Sequence, residues 1–136
     1  MQPQKKFVDT NIFIYSLFLV DKQKHQKTVS LFKKATEGKI HLWTTEWVIA
    51  ELVWFMLRKK VTVDECKKIC LQILSTKGLE VRNKQLILQT LDVWNGPLNF
   101  MDAIHVVNSQ LESVKEFISY DRDFTSISGV KVIGPE

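Results

Sequence analysis

Two cysteines, three prolines and five glycines are few for a chain of 136 residues. So few cysteines exclude a disulfide scaffold. The pair that exists, Cys66 and Cys70, lies in Cys66-Lys67-Lys68-Ile69-Cys70 and shares one face of a helix, which reads as two small buried apolar side chains. The histidines His25, His41 and His105 are scattered and offer no tight zinc spacing. Little proline or glycine, with no repeat and no low-complexity stretch, excludes collagen-like and linker-rich architectures. No uncharged apolar run reaches the ~18 residues of a membrane span. The apolar run that follows Lys5-Lys6 stops at Asp9, unlike a signal peptide. A cytoplasmic protein without a membrane partner is expected.

What is present is an ordinary globular mixture, 45% apolar and 25% charged. The length suits a single domain over residues 1–136, since domains cluster near ~100–150 residues. Net charge is only +4, but residues 1–70 carry +6 and residues 71–136 carry −2. Short β-type runs alternate with helical ones. The strands are expected at 6–8, 40–43, 79–81, 116–120 and 130–133, and the helices at 11–19, 24–37, 45–59, 63–76, 83–95 and 100–112. Thr62-Val63-Asp64-Glu65 is a capping box. Gly38 and Gly78 follow helical runs, where a left-handed residue is favoured. Gly96-Pro97 marks a break before Asn99, an N-cap candidate. This alternation predicts a mainly parallel sheet covered by helices, with functional groups beyond the carboxyl ends of the strands.

Carboxylates stand at those positions. Asp9 follows the strand Phe7-Val8 and opens Asp9-Thr10-Asn11. Asp121 follows the strand ending Ser119-Tyr120 and is trailed by Asp123. Each has an ordinary alternative role, as a helix cap or turn residue. Glu51 has the apolar helical neighbours Trp47, Val48, Trp54 and Phe55, so its flanks are expected to be largely buried, where a carboxylate needs a partner or a cation. Glu46 sits in a first helical turn, where negative charge suits the dipole, and needs no function. Asp102 is at the third position of a helix capped by Asn99, with His105 on the same face. Crowded carboxylates repel one another, and a divalent cation reverses that. Mg²⁺ takes oxygen ligands, and such ions activate water and stabilise the leaving oxygen of a phosphodiester.

In this order and spacing, over about residues 7–124, Asp9-Thr10-Asn11, Glu51 in a helix, Asp102-Ala103 at a helix start and Ser119-x-Asp121-x-Asp123-Phe124 after the fourth strand resemble a PIN domain. The chain length is similar to that of single-domain VapC-type toxins of toxin–antitoxin pairs. The resemblance implies a three-layer α/β sandwich whose five-stranded parallel sheet, of order 3-2-1-4-5, lies between helices. It also implies an Mg²⁺- or Mn²⁺-dependent endoribonuclease. By that resemblance Asp9, Glu51, Asp102 and Asp121 match the acidic quartet and Asp123 a further acid. Asp9, Asp102, Asp121 and Asp123 are then metal-ligand candidates, and Asn11 and Ser119 match polar orienting positions. RNA as substrate, a cognate antitoxin and a homodimer follow as expected partners.

Two other functional classes remain beside the toxin: a catalytically idle PIN-like module that binds RNA or protein, and a housekeeping RNA-processing nuclease. A phosphoacceptor receiver is excluded because the first strand ends in a single Asp9, and a haloacid-dehalogenase-type phosphatase because Asp9-Thr10-Asn11 is not Asp-x-Asp. Trp43, Trp47 and Trp54 are expected in the core, and Trp94 at the surface. The basic runs around Lys22, Lys24 and Lys27, Lys33-Lys34 and Arg58-Lys59-Lys60 read as solvated faces able to follow a phosphate backbone. With the quartet set apart, 11 other acids face 19 basic residues, a balance of +8.

Overall fold

The computed structural model describes residues 4–95 and 98–135, so the break expected at Gly96-Pro97 lies outside the described residues. The chain divides into two units, Met1–Lys84 and Gln85–Glu136. Six α-helices and five short parallel strands alternate among the described residues.

In the first unit β1 (Lys5–Phe7), β2 (His41–Thr44) and β3 (Leu79–Val81) form a parallel sheet with β2 in the centre. Registers run from Lys5 opposite His41 to Phe7 opposite Trp43, and from Leu42 opposite Leu79 to Thr44 opposite Val81. The central strand alternates half-buried and buried residues, and Thr44 is fully buried. Its hydroxyl cannot stay unpartnered there, and it donates to the Val8 carbonyl at 2.8 Å. That bond ties the end of β1 to the end of β2, so the residue after Val8, Asp9, leaves the sheet at the edge where Thr45 and Arg82 also emerge.

The helices α1 (Thr10–Leu17), α2 (Lys22–Thr36), α3 (Glu46–Arg58) and α4 (Val63–Leu74) begin at side-chain caps from Asp9, Asp21, Thr45 and Thr62. These caps satisfy amides that a helix start leaves free. Gly78 adopts φ +84°, and its Cα sits so close to α2 that a Cβ would come within 2.1 Å of the Ala35 carbonyl oxygen. Cys66 and Cys70 are fully buried free thiols, as the helical spacing predicts, and burial pushes the Cys70 thiol up to about 12.

α3 is the main core helix. Val48, Ile49, Leu52, Val53 and Met56 are buried. Its other face departs from expectation: Trp47 and Trp54 are 54% and 62% exposed, and Glu51 between them is exposed as well. Trp43 is half-buried, with its ring 6.1 Å from that of Phe7. The reason is angular. A helix buries one stripe, and the pairs at 48/49, 52/53 and 56 fill it, which leaves 47, 51, 54 and 58 on the opposite side.

The second unit contains α5 (Lys84–Val93), α6 (Phe100–Leu111), β4 (Glu116–Ile118), a 3₁₀ turn (Arg122–Ser126) and β5 (Lys131–Ile133). β4 and β5 pair in parallel from Glu116 opposite Lys131 to Ile118 opposite Ile133. Trp94 is 2% exposed rather than at the surface. Its amide bonds the Thr90 carbonyl at 2.9 Å, and its indole packs edge-on against Phe100 at 5.2 Å. Phe117 and Phe124 pack in the same way at 5.2 Å. The one five-stranded sheet expected from the resemblance is found as two parallel sheets, β1-β2-β3 and β4-β5. Strands of three or four residues carry few ladder bonds, so short ladders form where registers are best satisfied.

Glu46, expected to serve only the helix dipole, has a larger structural role. It is 5% exposed and takes a fork of hydrogen bonds from Arg82, with Nε at 3.1 Å from Oε2 and Nη2 on Oε1. The guanidinium holds the Glu46 carboxyl below its ordinary 4.5. The unfolded chain therefore binds this proton more tightly, and the stabilisation is fully present above the ordinary carboxylate range and lost as pH falls through the folded value. Glu46→Gln should cost about 1–3 kcal/mol near neutrality, as hydrogen bonds to charged groups do. Thermal melts at neutral and acidic pH should show the gap to wild type closing in acid; an unchanged gap would contradict the assignment.

Candidate metal centre and associated acidic residues

In the second unit α6 and the segment after β4 bring three carboxylates together. Asn99 caps α6 by accepting the Asp102 amide at 2.8 Å, which fixes Asp102 in the first turn. The Ser119 amide bonds the Ile133 carbonyl at 3.0 Å, prolonging the β4–β5 ladder. The Ser119 hydroxyl oxygen then accepts the Asp121 amide, and Asp121 Oδ1 accepts the Asp123 amide, each at 2.9 Å. This folds the chain back into the 3₁₀ turn, anchored by buried Phe124. One carboxylate oxygen from each of Asp102, Asp121 and Asp123 lies within 4.8 Å of the others.

Asp102 is half-buried, while Asp121 and Asp123 are exposed. Burial, then the charge of Asp121, raises the Asp102 pKa, with a smaller contribution from Asp123 and an opposing one from His105. His105 is exposed, and its influence on Asp102 is only this. The donor set is carboxylate oxygen throughout, which suits hard divalent cations such as Mg²⁺ or Mn²⁺ and not zinc, which favours nitrogen and sulfur. Among the described residues no arginine or lysine pairs with the group in the way Arg82 pairs with Glu46. The residues therefore fit a divalent cation.

In the first unit Asp9 caps α1 through its Oδ1, which accepts the Thr10 amide at 2.8 Å. Thr10 is 8% exposed, and its hydroxyl donates to Glu51 Oε2 at 3.1 Å. Asp9 and Glu51, 42 positions apart in the chain, are thus both held by Thr10. Thr10 does not stand out in the sequence as a functional residue. Its only signal was a hydroxyl between Asp9 and Asn11 at a strand end. Asn11 itself is exposed, and its side chain makes no hydrogen bond among the described residues. Glu51 is exposed rather than buried, so its charge needs no cation for solvation; the buried carboxylate of α3 is Glu46.

Comparison with protein families matches residues 6–130 to the PIN domain. The match covers nearly the whole chain and spans both units. The chain belongs to the PIN-domain family. PIN domains are typically nucleases that use divalent metals, and the acidic group of the second unit accords with that class. No match was found among curated proteins. Among the described residues no helix is long and apolar enough to cross a membrane.

Because the Asp102 pKa is raised, its ionised form destabilises the fold above the ordinary carboxylate range, and this penalty vanishes as pH falls. In metal-free buffer at neutral pH, Asp102→Asn should therefore melt above wild type. Adding Mg²⁺ or Mn²⁺ should raise the wild-type melting temperature and leave the variant nearly unmoved, because only wild type binds. Equal shifts in both proteins would refute a cation at Asp102.

Proposed function

We propose that the chain is an Mg²⁺- or Mn²⁺-dependent endoribonuclease that hydrolyses RNA phosphodiester bonds in the cytoplasm, as the toxin of a toxin–antitoxin pair. The observation that carries the nuclease reading is the convergence of Asp102, Asp121 and Asp123 within 4.8 Å in a PIN-family chain. Bound there, the cation would supply Lewis acidity toward a phosphate oxygen and lower the pKa of a water. Asp102, Asp121 and Asp123 would hold it. Asp121 spends one oxygen on the Asp123 amide and keeps the other free for a ligand.

Asp9 and Glu51 are proposed as further acids that the reaction requires. Asp9 commits Oδ1 to the Thr10 amide, which fixes its rotamer and leaves its second oxygen for a cation. Glu51 is held by the Thr10 hydroxyl and can orient a water by accepting its proton in a hydrogen bond. Ser119 shapes the turn that presents Asp121.

Charge distribution supports a polyanionic substrate. Helix α2 exposes Lys22, Lys24, Lys27, Lys33 and Lys34 and contains no acid. Basic faces of this kind draw in phosphate backbones in a salt-dependent manner. The toxin reading rests on the intact acid set within a PIN-family match over residues 6–130. It brings with it a neutralising antitoxin and a homodimer.

RNA incubated with Mn²⁺ or Mg²⁺ should be cut, and EDTA should abolish the cut. Asp102→Asn and Glu51→Gln should each lower the rate by on the order of 100-fold or more. Asp121→Asn and Asp123→Asn, compared side by side, identify which of the two carries more of the reaction. Cleavage that survives EDTA, or is untouched by Asp102→Asn, overturns the nuclease reading. Expression of the wild type should arrest bacterial growth while Asp102→Asn should not; a cutting enzyme that leaves growth unaffected is a housekeeping nuclease.

A further inference from the structure

The exposed face of α3 is unusual in what it shows to solvent. At ~100° per residue, positions 47, 51, 54 and 58 fall within ~60° of arc, so Trp47, Glu51, Trp54 and Arg58 form one straight stripe. Trp47 is 54% and Trp54 62% exposed. The two indoles are separated by ~10 Å along the helix axis, with Glu51 between them. The Arg58 guanidinium lies 4.5 Å from the centre of the Trp54 ring. Exposed Lys59 and Lys60 follow at once. Two large aromatic surfaces left in water on the best-packed helix of the unit carry a hydrophobic cost that core packing does not explain.

We infer that this stripe is a stacking platform for unpaired bases of single-stranded RNA, with Arg58 and the lysines after it engaging the phosphate backbone. This deepens the nuclease reading and rests on it for the identity of the polymer. Three features favour RNA over an apolar protein partner. The aromatic faces alternate with charges instead of forming a continuous apolar patch. A guanidinium stacked on indole continues a ladder of planar groups and presents its edge donors to phosphate. Glu51, tethered to Thr10 at 3.1 Å, lies in the middle of the stripe, so a strand stacked on both indoles runs past a carboxylate that the reaction is proposed to need. Stacking is indifferent to base identity and selects for unpaired strands.

The test measures binding apart from cleavage. Full-length protein carrying Asp102→Asn, in EDTA, is titrated into a fluorescein-labelled single-stranded RNA and into the duplex of the same sequence. Adding Trp54→Ala or Trp47→Ala should weaken single-strand binding on the order of 10-fold, the usual consequence of losing one base–aromatic stack. Trp54→Phe should restore most of it, and duplex binding should change little. Arg58→Ala should flatten the salt dependence of single-strand binding. Unchanged single-strand affinity in both alanine variants overturns the platform, and so does an equal loss for single strand and duplex. A fall in sedimentation coefficient with RNA affinity unchanged also overturns it and makes the stripe a contact between copies of the chain. If tryptophan-dependent binding holds while wild type fails to cut RNA with Mn²⁺, the platform stands and the nuclease reading falls.

Discussion

Three carboxylates held within 4.8 Å of one another repel, and three hydrogen bonds to backbone amides hold in place the segments that carry them. Asn99 pins Asp102 in the first turn of α6, the Ser119 hydroxyl pins the Asp121 amide, and Asp121 in turn takes the Asp123 amide. Each bond is to a backbone amide, so the turn is stabilised while carboxylate oxygens stay available. Among the described residues no Lys or Arg pairs with this charge, and burial, followed by the charge of Asp121, raises the Asp102 pKa. Glu46 is the internal contrast. It is the more buried carboxylate, yet its pKa falls, because Arg82 supplies the cation from within the chain. Glu46 has its counter-charge within the chain, whereas for the acidic group of the second unit a divalent cation is proposed to supply it.

The first unit meets a different demand, the placing of side chains at one edge of a parallel sheet. Thr44 binds the end of β1 to the end of β2 through the Val8 carbonyl. The next two residues are then Asp9, which caps α1, and Thr10, which reaches Glu51 on α3. The same α3 buries Leu52, Val53 and Met56 completely. A helix locked by such a core holds its solvent side rigidly, so Trp47, Glu51 and Trp54 are presented at little further entropic cost.

Much of the fold was legible because its signals are local. The caps at Thr62 and Asn99, the left-handed Gly38 and Gly78, and the helical spacing of Cys66 and Cys70 each involve a few neighbouring residues. Errors arose where distance in sequence or all-round hydrophobicity intervened. α3 is apolar on nearly every side, so the positions of Trp47 and Trp54 do not by themselves say which face is buried, and the expected burial of Glu51 followed from that ambiguity. Glu46 and Arg82 are 36 positions apart, and only the β2–β3 register brings them together. The acids at strand ends were readable as residues. That Asp102, Asp121 and Asp123 converge is a property of the folded unit, and so is the role of Thr10 beneath Glu51.

A divalent cation is proposed to bind the acidic group of the second unit. Anomalous scattering from Mn²⁺-loaded crystals tests it most directly. A peak is expected at coordination distance, roughly 2.0–2.3 Å, from carboxylate oxygens of Asp102 and of Asp121 or Asp123. A well-ordered acidic group with no peak at saturating Mn²⁺, or a peak bound elsewhere while these three side chains remain unligated, would contradict it.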